Sequence, residues 1–162
     1  MTKIKLQIKN RWTGSVLFEY EKENNTVKDT LIEAVNGGAY LRGADLRGAK
    51  NIPYIPFACP SDGAFIGWKK VGNKLVKLEI PEDARRCSAT TQKCRCDKAK
   101  VLAITDLDGS NPINEILNTS QPKALLYKVG EMVYPDSFDE DRWNECSHGI
   151  HFFINKQDAI NY

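Results

Sequence analysis

The chain has 162 residues, 41% of them hydrophobic and 27% charged, with a formal net charge of +2. A chain of this length buries roughly 70% of the surface it exposes when unfolded, so a core without disulfide staples is expected, and the balance is that of a globular rather than a disordered protein. No apolar run reaches the ~20 residues of a membrane span, and the opening MTKIKLQIKN alternates instead of forming a signal-peptide core, so a cytoplasmic protein with no membrane partner is expected.

The elements read in chain order begin with a hairpin. Ile4, Leu6 and Ile8 alternate with polar residues, as do Val16, Phe18 and Tyr20, and Asn10–Ser15 between them carries Gly14. Thr26 offers a helix cap; Val27, Leu31, Ile32 and Val35 form the predicted apolar face, and Gly37-Gly38 stop the helix. A five-residue repeat follows: Ala39-Tyr-Leu-Arg-Gly, Ala44-Asp-Leu-Arg-Gly, then Ala49-Lys. These units resemble the pentapeptide-repeat family, whose A-(D/N)-L-x-x motif winds a square β-solenoid with Leu and Ala inward. Two full units do not close a coil, because repeat arrays need several neighbours to bury each other's faces. A vestigial turn capping the larger region is therefore expected. Pro53, Pro56 and Pro60 mark a linker over residues 52–60.

Beyond the linker the pattern predicts strands at Ala64–Val71, Lys74–Ile80, Lys98–Asp106, Ala124–Val133 and Gly149–Ile154, with short helices at Pro81–Arg86 and Lys156–Tyr162. The expected class is α+β: an N-terminal hairpin, helix and partial repeats over residues 1–52, packed on a mainly antiparallel β-rich ligand-binding domain over residues 53–162.

Two charge clusters stand out. Arg85, Arg86, Lys93, Arg95, Lys98 and Lys100 face a single acid, Asp97, within residues 85–100. Ser88, Thr90 and Thr91 lie in the same segment, read as a loop, and guanidinium forks with hydroxyls suit a phosphate. A compact phosphorylated molecule fits this local cluster better than nucleic acid, which calls for a broader basic surface. Residues 131–145 are the acidic counterpart, most simply a salt-bridged face for the basic segment. Neither cluster makes a metal site: Asp136, Asp139 and Asp141 lack the glycine of a calcium loop. Cys94 and Cys96 stand too close together for a structural zinc pair, and Cys146, His148 and His151 have no second paired element. Five irregularly spaced cysteines are expected as free thiols of a reducing compartment. Trp12, Trp68 and Trp143 are expected mainly in the core, although each could stack on a base. No metal, other cofactor or catalytic residue is assigned.

The segment from Gly149 to Tyr162 is similar to the strand-and-helix motif G-I-Y-F-A…A-N-Y of ADP-ribosyltransferases of the poly(ADP-ribose) polymerase type. In that family a strand tyrosine and a helix tyrosine wall the nicotinamide pocket. The resemblance puts His151 and Tyr162 in those places. The family's catalytic glutamate lies on a later strand, and Ala64-Phe-Ile-Gly67-Trp68 stands where its early His-Gly pair would be. Residues 61–162 also resemble an uncharacterised domain that follows short pentapeptide repeats in phage and firmicute proteins, through Ala64-Phe-Ile-Gly-Trp-Lys, Lys93-Cys-Arg-Cys and Arg142-Trp-Asn-Glu-Cys-Ser-His-Gly.

These readings combine into an expected phage-type protein, in the host cytoplasm, that binds without turnover a phosphorylated nucleotide-like ligand. An ADP-ribose-derived or cyclic-nucleotide immune signal of the host is the implied cargo, making the role one of anti-defence. Arg86, Lys93 and Arg95 are expected on phosphate, Thr90 and Thr91 as donors, and Trp68, His151 and Tyr162 around base or ribose. Two alternatives stay open: an enzyme acting on an NAD-type substrate, and a protein-interaction module inhibiting a host factor. Self-association is also open.

Overall fold

The computed structural model describes residues 2–47, 49, 58–120 and 124–162. The chain divides into two compact units, Met1–Pro56 and Phe57–Tyr162. The predicted proline linker falls largely on residues 52–57, outside the described residues.

In the first unit, β1 (Lys3–Lys9) and β2 (Val16–Glu23) form an antiparallel hairpin in which Ile8 opposes Phe18 and Leu6 opposes Tyr20. Helix α1 (Val27–Asn36) opens with a capping box: Thr26 accepts from the Asp29 N–H, and the Asp29 carboxylate accepts from the Thr26 N–H. Its buried positions are Thr30, Leu31 and Ala34, while Val27 and Val35 are exposed. The inward face is therefore rotated from the one the apolar pattern predicts. Thr30 can turn inward because its hydroxyl is satisfied by the Thr26 carbonyl. The five-residue repeat produces a repeated backbone bond: the Ala44 N–H donates to the Leu41 carbonyl, and five residues on the Ala49 N–H donates to that of Leu46. Ala44 and Leu46 point inward. Trp12, expected in the core, is 68% exposed.

The second unit is a seven-stranded antiparallel sheet beside a small hairpin. Its strands are β3 (Phe65–Val71), β4 (Lys74–Ile80), β5 (Arg86–Ser88), β6 (Lys93–Cys96), β7 (Ala99–Asp106), β10 (Met132–Val133) and β11 (Ile150–Phe153), in the order β10-β7-β4-β3-β11-β6-β5. The separate hairpin pairs β8 (Glu115–Asn118) with β9 (Leu125–Lys128), and α2 (Lys156–Asn161) ends the chain. This is an α+β protein with a mainly antiparallel β-rich second unit.

Three local readings change. The helix expected over Pro81–Arg86 is a single turn, closed by the Ala84 N–H on the Pro81 carbonyl, because Arg86 already belongs to a strand. The expected basic loop is the β5–β6 hairpin. The strand expected over Ala124–Val133 is broken at Gly130 (φ +87°) into β9 and β10, which join different sheets.

The core of the second unit stacks Val76, Leu78 and Ile80 of β4, Val101 and Ile104 of β7, and Ile150 and Phe152 of β11. The last strand enters the middle of the sheet, where its apolar sequence is buried between β3 and β6. Gly67 is needed on β3 because a Cβ there would stand 2.6 Å from the Phe152 ring. The insertion of β11 brings three distant stretches of chain, residues 65–71, 93–96 and 150–153, side by side.

Candidate functional site

A cavity of ≈ 610 Å³ opens beside this three-strand junction. Its walls carry Lys69 and Lys70 from β3, Lys93 from β6, His151 and Phe153 from β11, and Tyr162 after α2. Asn144, Cys146, Ser147 and His148 complete it from the segment before β11, and Ser120 follows β8. No Asp or Glu belongs to this lining among the described residues.

The three ammonium groups set the chemistry. Lys69 and Lys93 are each 8% exposed. Lys69 Nζ donates to the His151 carbonyl at 3.2 Å, and Lys70 Nζ to the Ile160 carbonyl at 3.0 Å. Lys93 Nζ donates to Cys146 Sγ at 3.3 Å and reaches Tyr162 Oη at 3.5 Å. None of the three pairs with a carboxylate among the described residues. By contrast, Lys74 and Lys98 on neighbouring elements are matched with Asp106 and Asp83. Burying an ammonium without a counter-charge is costly, and its effect is visible on Lys69, whose pKa burial pulls down to about 8. Burial also holds the His151 imidazole near pKa 4, so the ring is neutral at pH 7; its Nε2–H donates to the Ser147 carbonyl at 2.7 Å. Tyr162, 70% exposed, tilts against Phe153 with ring centroids 5.1 Å apart and carries the Lys93 ammonium 5.5 Å over its face.

Of the residues expected to bind ligand, the structure brings Lys93, His151 and Tyr162 together at this cavity. The others lie elsewhere or serve the wall. Arg95 is 2% exposed and spends its guanidinium on the carbonyls of Asp139, His148 and Asp141, at 3.0, 2.7 and 2.9 Å. It fastens the irregular segment 136–149, which carries Cys146 and His148. Thr90 and Thr91 act on the same segment through their backbone N–H groups, which the buried Glu145 carboxylate accepts at 3.0 and 3.2 Å. The Thr91 hydroxyl accepts from the Lys93 N–H. Arg86 donates to the carbonyls of Gly63, Pro81, Glu82 and Ala84, tying the turn before β5, and lines a separate depression with Arg85 and Phe138. Trp68 lies outside the cavity lining, flanked by Lys77 and Lys156. Thus Arg86 and Arg95 spend their guanidinium groups on main-chain carbonyls, Arg86 around the turn before β5 and Arg95 on the irregular 136–149 segment, while the Thr90 and Thr91 N–H groups hold the Glu145 carboxylate.

The expected salt-bridged face between basic and acidic segments is represented by Arg85 to Glu140 at 2.7 Å, alongside the Arg95-to-carbonyl bonds. Lys69 and Lys70 are the functional candidates that composition did not single out. A signal existed: alternation on β3 puts Lys69 at the inward parity of Gly67 and Val71, where a lysine is out of place.

No helix among the described residues is long and apolar enough to cross a membrane. The second unit is thus an antiparallel α+β module with a cationic cavity at the junction of β3, β11 and β6. The chain belongs to a family of unknown function, DUF5758, whose model matches residues 55–159. No curated protein and no solved structure matches the chain.

Proposed function

We propose that the second unit binds a small phosphorylated, nucleotide-like ligand in the lysine cavity, without turning it over. The observation that carries this reading is the set Lys69, Lys70 and Lys93: three ammonium groups on one cavity, two of them buried, with no Asp or Glu among the described lining residues. A phosphate chain supplies the missing charge and accepts several ammonium donors at once. The exposed Tyr162 ring beside Phe153 offers a stacking face for a base, and the neutral His151 offers a ring edge for ribose or base. The volume suits a mononucleotide or dinucleotide. The phage-type setting and the sequestration of a host immune signal, ADP-ribose-derived or cyclic, extend this reading from the resemblance of residues 61–162 and of the pentapeptide stretch at 39–50.

Calorimetric titration of ADP-ribose, a cyclic dinucleotide and inorganic diphosphate tests it. At least one should bind, and Lys93→Gln should weaken it about tenfold or more, the loss of one charged hydrogen bond. Absence of binding by all three overturns the reading. A second reading, an enzyme acting on an NAD-type substrate, is favoured by one observation: His151 and Tyr162, the positions that resemble the nicotinamide-pocket tyrosines of ADP-ribosyltransferases, share this cavity. Release of nicotinamide from NAD by the purified chain, lost in Tyr162→Ala, would establish it; intact NAD alongside measurable binding favours sequestration.

A further inference from the structure

The cavity wall holds a nucleophile that ligand binding leaves unused. Cys146 is the exposed member of the five cysteines; Cys59, Cys87, Cys94 and Cys96 are buried, and burial pushes the Cys87 thiol up to about 11. Cys146 Sγ lies 3.3 Å from Lys93 Nζ, on the same wall as Lys69 and Lys70. A second observation points to the reagent. The Lys69 ammonium, 8% exposed, meets one carbonyl and no carboxylate among the described residues, so the space in front of Cys146 is polarised for anions.

We infer that Cys146 is a site of mixed-disulfide formation with anionic low-molecular-weight disulfides of the glutathione-disulfide class, and that the adduct fills the lysine cavity and excludes its phosphorylated ligand. This rests on the reading of the cavity as an anion site. In the step, the Cys146 thiol releases its proton to solvent and the Sγ thiolate attacks one sulfur of the reagent. A new S–S bond forms, the original S–S bond breaks, and the departing half leaves as a thiolate that solvent protonates. Cys146 is oxidised and the departing half is reduced; no further oxidant enters. The lysines of the cavity face the carboxylates of the half that stays. The cavity volume accommodates a tripeptide-sized group.

The test compares two disulfides on the reduced, folded, full-length chain: glutathione disulfide and the neutral bis(2-hydroxyethyl) disulfide, followed by intact mass and peptide mapping. A single adduct at Cys146 is expected. Its rate constant with glutathione disulfide should exceed that with the neutral reagent by about tenfold, after each is divided by its rate with a free cysteine peptide. High salt should erase most of this ratio, a control that needs no variant to fold. Lys93→Gln should lower it as well, and saturating diphosphate should slow the charged reagent. Equal normalised rates for the two reagents, or first reaction at a buried cysteine, overturn the inference. Titration of diphosphate into Cys146→Ser separates the two claims. Binding there, with no charge preference in the native chain, sinks the disulfide proposal and leaves the cavity reading standing. Absence of binding by diphosphate, ADP-ribose and a cyclic dinucleotide alike sinks the cavity reading, while the rate ratio still decides the disulfide proposal.

Discussion

The ammonium of Lys69 donates to the backbone carbonyl of His151 at 3.2 Å across the β3–β11 junction, inside the fold and without a carboxylate among the described residues. The proton on Lys69 is therefore held weakly, with a pKa of about 8 against an ordinary 10.5. Between these values the unfolded chain binds the proton and the folded chain does not, so stability rises as pH is raised from 8 to 10.5. Ligand binding runs the other way: affinity for diphosphate should fall above about pH 8 as the charge is lost. Lys69→Met removes the buried charge and should raise neutral-pH stability by on the order of 2–3 kcal/mol, while weakening diphosphate binding. Denaturant melts and calorimetry across pH 6–10 check both signs, and a destabilised Lys69→Met contradicts the assignment.

His151 titrates in the opposite region. Desolvation, helped by the Lys93, Lys69 and Arg95 charges, sets its pKa near 4, below the ordinary 6.5. The unfolded chain gains a proton first as pH falls through 6.5, so the second unit should lose stability between pH 6.5 and 4. His151→Gln should flatten that part of the pH–stability curve. NMR titration of the imidazole reads the pKa directly; a value near 6.5 removes the effect.

Arg95 and Lys93, two positions apart on β6, should separate structure from binding. Arg95→Met removes the guanidinium donors from the carbonyls of Asp139, Asp141 and His148; Asp141 and His148 keep the N–H groups of Asn144 and Asp139, so the loss centres on the Asp139 carbonyl, at about 1–3 kcal/mol where water does not reach it. Melting temperature should drop sharply. Lys93→Gln should cost far less stability and most of its effect should fall on diphosphate affinity. Equal loss of stability in the two variants would contradict this division.

Gly67→Ala tests the central strand. The added methyl meets Phe152 at 2.6 Å in a packed core, so overpacking should cost about 1–3 kcal/mol. Adding Phe152→Leu should recover part of the loss in a double-mutant cycle.

Removing Asn161 and Tyr162 should lower affinity for ADP-ribose more than it lowers the melting temperature. Tyr162 is 70% exposed and tilts against Phe153, so little core is lost while the stacking wall disappears. A parallel fall in both quantities would make Tyr162 a core residue instead.

Much of the local structure was legible in the residues themselves. The alternation in β1 and β2, the Thr26 cap and the apolar β11 each express a short-range rule of period or capping. The sequence also brought forward Lys93, His151 and Tyr162, the first through a charge cluster and the other two through the strand-and-helix resemblance. Charge clustering could not tell Lys93 from Arg95, because both are cations in one basic run.

Only the tertiary structure decided which cations face a cavity and which hold main chain. That choice depends on β11 crossing from the end of the chain into the middle of the sheet, a pairing between residues more than fifty positions apart. Local patterning carries no record of such a partner. The crossing sets Lys69 and Lys70 beside Lys93, and it leaves the irregular segment before β11 with carbonyls that Arg95 must satisfy. Hydrophobic period and capping act over a few residues and can be read along the chain, whereas the environment of a charge is set by whatever the fold places within a few ångströms of it.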